Sequence, residues 1–110
     1  MPTPRVRTLL PALAALLVAS TTAQAQNNPD FRLNNRSGTT INEVYVSSSQ
    51  NQNWGSDRLG NNVLASGQSL SVSLPAGQCM NDIRVVYENG TAQERRGVNT
   101  CELTDFNVTR

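Results

Sequence analysis

The sequence predicts an all-β domain, a small antiparallel β-sandwich of six or seven strands held by one disulfide. Three observations carry that prediction. Ser69 to Leu74 (SLSVSL) alternates apolar and polar residues with the period of a half-buried strand. Asn89-Gly90, set between two extended runs, is a strong short hairpin signal. Cys79 and Cys101 flank that hairpin and form an even pair, while no stretch shows helical periodicity.

The elements follow in order. Phe31-Arg32-Leu33 alternates and reads as a short first strand, with Asn34 to Gly38 as a turn. Thr40 to Ser47 (TINEVYVS) is rich in β-branched and aromatic residues and predicts a second strand. Ser48 to Asn62 reads as a polar loop of about fifteen residues, a length that in compact domains is functional or disordered. Val63-Leu64 predicts a short strand, and Ser69 to Leu74 the next, ended by Pro75-Ala76-Gly77. Ile83 to Glu88 (IRVVYE) places Ile83, Val85 and Tyr87 on one face. The return strand, Ala92 to Val98 (AQERRGV), is poor in apolar residues, and Phe106-Asn107-Val108 reads as the last strand. A two-residue Asn89-Gly90 turn pairs Glu88 with Thr91. That register leaves Cys79 and Cys101 one residue out of line, so a single slip or bulge brings them together. A Cys79–Cys101 bridge closes a loop of about twenty residues and contributes roughly 3 kcal/mol.

The N-terminus reads as a secretory signal peptide over residues 1–25. Arg5 and Arg7 precede an apolar run, Leu9 to Ala19, which is too short to span a bilayer. Ala23-Gln24-Ala25 is a small-residue cleavage site, so the cut is expected between Ala25 and Gln26. The mature part, residues 26–110, is then a single domain of about 85 residues, near the lower end of what a hydrophobic core sustains alone. It contains no candidate membrane span and no acylation cysteine after the apolar run. The expected location is secreted or periplasmic.

Composition removes several functions. All nine basic residues of the chain are Arg, and there is no Lys and no His. Without Arg5 and Arg7 the formal charge falls from +1 to about −1, which supplies no basic face for nucleic acid. Absence of His rules out Ser-His-Asp and Cys-His nucleophile arrangements and disfavours zinc and copper. Cofactors are expected to be none, and enzymatic activity is not expected. Asp57, Asp82, Glu88 and Glu94 are possible glycosidase carboxylates by residue type alone, and no spacing selects a pair. Asn61 to Ser66 nearly matches a βγ-crystallin calcium stretch, but Ala65 stands where a hydroxyl is needed. Asn35-Arg36-Ser37 and Asn107-Val108-Thr109 match the N-glycosylation acceptor pattern, which has meaning only in a eukaryotic host. Arg84, Glu88, Glu94, Arg95 and Arg96 read as an anion-binding face or as a solvated, charged edge strand.

Asn51 to Asn62 (NQNWGSDRLGNN) holds the single Trp of the chain. Trp54, Asp57 and Arg58 form the candidate binding loop. The competing expectation makes Trp54 a buried anchor, with Asp57 capping a tight turn, Arg58 pointing outward and Leu59 inward.

The runs FRLNNRSGTTINEVYVSSS, NWGSDRLGNNVLASGQSLSVSLP, CMNDIRVVYENG and GVNTC resemble, over nearly the whole mature chain, a family of small exported bacterial proteins often labelled Tat pathway signal proteins. Trp54 to Gly60 and the Cys pair carry the most specific part of that resemblance. It implies export and carries no activity over to any residue, and Arg5-Val6-Arg7 lacks the adjacent arginines of the label.

These readings lead to an exported, non-enzymatic binding or interaction module of the periplasm or extracellular space, with an envelope protein or glycan as partner. The alternatives are a small secreted inhibitor of a hydrolase, using Arg58 or Trp54 on a rigid loop, and a calcium-binding β domain.

Overall fold

The computed structural model describes residues 27–110, and the signal segment with its Ala25–Gln26 cleavage site lies outside them. The described chain is all-β. Its strands are β1 (Phe31–Asn35), β2 (Ile41–Ser48), β3 (Ser69–Val72), β4 (Met80–Tyr87), β5 (Ala92–Asn99) and β6 (Asp105–Val108), with a 3₁₀ turn at Thr100–Glu102. They form two three-stranded sheets, β3-β1-β6 and β2-β4-β5.

Each sheet turns one face inward. Phe31, Leu33, Val72 and Val108 from the first sheet meet Ile41, Val44, Val46, Ile83, Val85 and Tyr87 from the second. The alternation read in IRVVYE is borne out, since Ile83, Val85 and Tyr87 are all buried. The SLSVSL strand stops at Val72 and lies at a sheet edge, so Leu70 and Leu74 are only partly covered. Val63-Leu64 contributes a single bridge. Leu64 exchanges two 2.9 Å bonds with Ile41, and Val63 faces solvent.

Pairing is antiparallel except at β1 and β6, which run parallel from Arg32↔Asp105 to Asn35↔Val108. Asn34 and Asn35, expected in a turn, continue β1 and are buried. Asn35 has no exposed surface. Its Nδ2 donates to the carbonyls of Thr39 (2.8 Å) and Leu64 (2.9 Å), and its Oδ1 accepts from the N–H (3.1 Å) and hydroxyl (2.6 Å) of Ser37. A fully paired buried amide avoids the desolvation cost that made a buried Asn an unexpected choice.

The β4–β5 hairpin departs from the expected register. Tyr87 N–H bonds to Thr91 O at 2.8 Å and Gly90 N–H to Tyr87 O at 2.9 Å, which makes a three-residue turn, Glu88-Asn89-Gly90. Asn89 Oδ1 holds both the N–H and the hydroxyl of Thr91, and Gly90 takes the left-handed conformation (φ 88°) that such a turn needs. Two later slips bring the cysteines together. The register shifts between Asn81 and Ile83, where Arg96 and Gly97 both oppose Asp82. The 3₁₀ turn then advances the chain once more, and Cys79 and Cys101 are bonded. Asn81, also fully buried, braces this junction through the carbonyls of Gln78 and Cys79 and the Thr100 hydroxyl.

Candidate functional site

The loop that follows β2 folds back along the free edge of that strand. Asp57 Oδ1 accepts from the N–H groups of Val44 and Leu59, both at 2.9 Å. Arg58 N–H returns a 2.7 Å bond to Val44 O. Leu59 enters the core at 7% exposure. The expected turn cap by Asp57 and the inward Leu59 are therefore both present, and the backbone edge of β2 is covered.

Arg58 is exposed, as expected, and its side chain also reaches back to Ser73 O (3.1 Å), just past β3, and to Val46 O (3.4 Å) in β2. Asp57, through two backbone N–H groups, and Arg58, through two backbone carbonyls, thus hold the loop in place. Trp54 is neither a core anchor nor a free platform. It is half-buried on the outer face of the β2-β4-β5 sheet, tilted against Tyr45 (centroids 6.5 Å apart) with the Arg96 guanidinium 5.0 Å over its ring. The buried anchor of the loop is Leu59.

Beside Trp54 runs a ladder of charges across β4 and β5. Arg84 bonds Glu94 (2.5 Å), Glu94 bonds Arg96 (2.9 Å), and Arg96 bonds Asp82 (3.2 Å). The Arg84 and Arg96 guanidiniums hold the Glu94 carboxyl below its ordinary range. Tyr45 donates to Glu43, and that bond raises the phenol pKa. Asp82 is the member buried from solvent, at 5% exposure. The Gly97 N–H (2.9 Å) lowers its pKa most, followed by the Ser49 hydroxyl (2.8 Å), against the opposing effect of burial.

The sign of the resulting pH dependence is fixed. A carboxylate whose folded pKa lies below its ordinary 3.8 contributes stability that is complete above that value and lost as pH falls through the folded pKa. Acid unfolding monitored by circular dichroism is expected to steepen below about pH 4, and Asp82→Asn to flatten that limb. An identical acid limb in the variant would show that Asp82 does not drive it.

Of the hairpin charges, Arg84, Glu94 and Arg96 join the ladder, Glu88 turns to Thr39 (3.1 Å), and Arg95 lies on the opposite face of β5. Among the described residues no group of three or more His, Cys, Asp or Glu is placed to hold a metal ion. In the near-crystallin stretch, Ala65 N–H bonds Gln68 Oε1. Among the described residues no helix is long and apolar enough to cross a membrane.

The loop sequence pointed to Trp54 but not to its neighbours. Tyr45 and Arg96 come from strands distant in the chain, and only the sheet order brings them to one face. A second feature left no mark in the motif reading, a small groove between β5 and β6 with Ile83, Val85, Phe106 and Val108 on its inner side and Gln93, Glu94, Arg95, Asn107 and Thr109 around it. Its one sequence trace is the lack of apolar residues in AQERRGV, which leaves that side of the core thinly covered.

No family model, curated protein or solved structure matches this chain.

Proposed function

We propose that this chain is an exported, non-enzymatic binding module whose contact surface is the outer face of the β2-β4-β5 sheet around Trp54. The observation that carries the reading is a Trp, a Tyr and an Arg packed together on a loop and sheet pinned by Asp57, Arg58 and Leu59. Those residue types dominate the energetic centres of protein interfaces, and a rigid support lowers the entropy lost on binding. The disulfide supports an oxidising location, secreted or periplasmic, and the resemblance to small exported bacterial proteins points the same way. An inhibitor reading would need Arg58 to project from its loop, and Arg58 is engaged with Ser73 and Val46.

The partner is an envelope protein or a glycan. Mature protein immobilised on beads and exposed to envelope extract and to a glycan panel is expected to retain a component that the Trp54→Ala form loses by tenfold or more. Because Trp54 is half-buried, the same substitution is expected to lower folding stability by only about 1–2 kcal/mol, checked by urea titration. Equal retention by the two forms, or retention of nothing by either, would overturn the assignment of this face.

A further inference from the structure

We propose that the free edge of β5, above the small groove between β5 and β6, accepts an extended peptide strand of a partner protein that carries a carboxylate on its inward face. This surface lies on the opposite side of β5 from the Trp54 ring contact and stands independently of the function proposed above.

Three observations converge on it. First, β5 ends its sheet, paired only with β4, and Ala92 to Gly97 are exposed. Antiparallel residues alternate between bonding their neighbour and facing away from it. Tyr87 bonds Thr91, so the backbone groups of Ala92, Glu94 and Arg96 face outward from the sheet. A strand laid there finds a ready row of donors and acceptors. Second, the groove beneath has a volume of about 30 Å³, with Phe106, Ile83, Val85 and Val108 at its floor and polar residues such as Gln93 and Asn107 at its rim. That volume suits one small apolar side chain and is too small for an acyl tail. Third, Arg95 stands at the groove with its guanidinium 5.9 Å over the Phe106 ring. It has no carboxylate within 4.0 Å among the described residues. The nearby Glu94 is taken by Arg84 and Arg96.

The charges also select the occupant. A second copy pairing through β5 about a two-fold axis centred on residues 94–96 sets Glu94, Arg95 or Arg96 against its own symmetry mate. Directly opposed like charges destabilise a sheet pair. An apolar strand would bury its face against Arg95 without compensation. A strand with one carboxylate on its inward face pairs Arg95, and one small apolar residue beside the carboxylate enters the groove. Arg95 thereby specifies an acidic partner, and the two-fold registers centred on Glu94, Arg95 and Arg96 are disfavoured.

The test uses two capped peptides, TVTETVT and TVTKTVT, against the mature protein, its Arg95→Glu form and its Trp54→Ala form. Binding is read by amide chemical shifts and oligomeric state by sedimentation. TVTETVT is expected to bind and to shift the amides of Ala92, Glu94 and Arg96. Arg95→Glu should weaken it at least tenfold and bind TVTKTVT instead, which also shows that the variant is folded. Trp54→Ala should leave the affinity unchanged, so that failure of one surface is read separately from failure of the other. The proposal is overturned by any of four results. These are no binding of TVTETVT up to about 1 mM, affinity insensitive to Arg95, shifts centred on Trp54, or a β5-mediated dimer.

Discussion

Asn35→Ala is expected to destabilise the domain by about 4 kcal/mol, a large part of the total stability of a domain this small. The substitution removes two donors and one acceptor from a site with no solvent exposure. Four hydrogen bonds are lost, two to the carbonyls of Thr39 and Leu64 and two from the Ser37 N–H and hydroxyl, at about 1 kcal/mol each. The damage extends beyond the side chain. Asn35 backbone groups also bond Gln68 and Gly67, and Leu64 is the residue bridged to Ile41. Loss of the amide therefore loosens the turn after β1 and the return of the long loop together. Urea titration of the variant is the measurement. A loss below about 1 kcal/mol would show that water replaces the amide and that Asn35 is not the hub described.

Removal of the Cys79–Cys101 bridge, by reduction or by double substitution with Ser, is expected to cost about 3 kcal/mol. For a domain of this size that lowers the melting temperature by roughly 15 °C. The bond closes a span with a sequence separation of 22 residues, so its effect falls mainly on the unfolded chain. The native junction should survive it. Thr100 N–H bonds Cys79 O at 2.8 Å, and Asn81 Nδ2 donates to Cys79 O and to the Thr100 hydroxyl. The reduced protein is thus expected to keep its sheet signature at low temperature and to melt early. Two free thiols titrating in the untreated folded protein, or a melting temperature unmoved by reductant, would contradict this account.

The pattern of the strands was legible because burial leaves a local period. Ile83, Val85 and Tyr87 show it directly, and the inward turn of Leu59 was readable from its place after Asp57 in a glycine-flanked turn, although the anchor of the loop was expected at Trp54. What stayed hidden depends on partners far along the chain. Asn34 and Asn35 have turn composition, yet Ser69, Asp105, Asn107 and Leu64 satisfy their amides inside a sheet. The hairpin register moved because Asn89 bonds Thr91 locally, which favours a longer turn than the Asn-Gly pair alone implies. The direction of β6 was also out of reach, since four residues (DFNV) carry no information on whether a neighbour runs with or against them. Trp54 was recognised as notable, but its cover by Arg96 comes from a different strand.

The parallel pairing of β1 with β6 also governs how the molecule can assemble. Arg32 on the central strand β1 and Asp105 on the edge strand β6, 73 positions apart, are neighbours in one sheet, so a long span must be looped before that contact forms. The β4–β5 hairpin closes over a short span and can form early, whereas the β1–β6 pair waits for β6. Until then Phe31 and Leu33 lack one flank of their cover. A chain emerging from its N-terminus is therefore expected to form the β4–β5 hairpin first and to complete its core only once β6 is available.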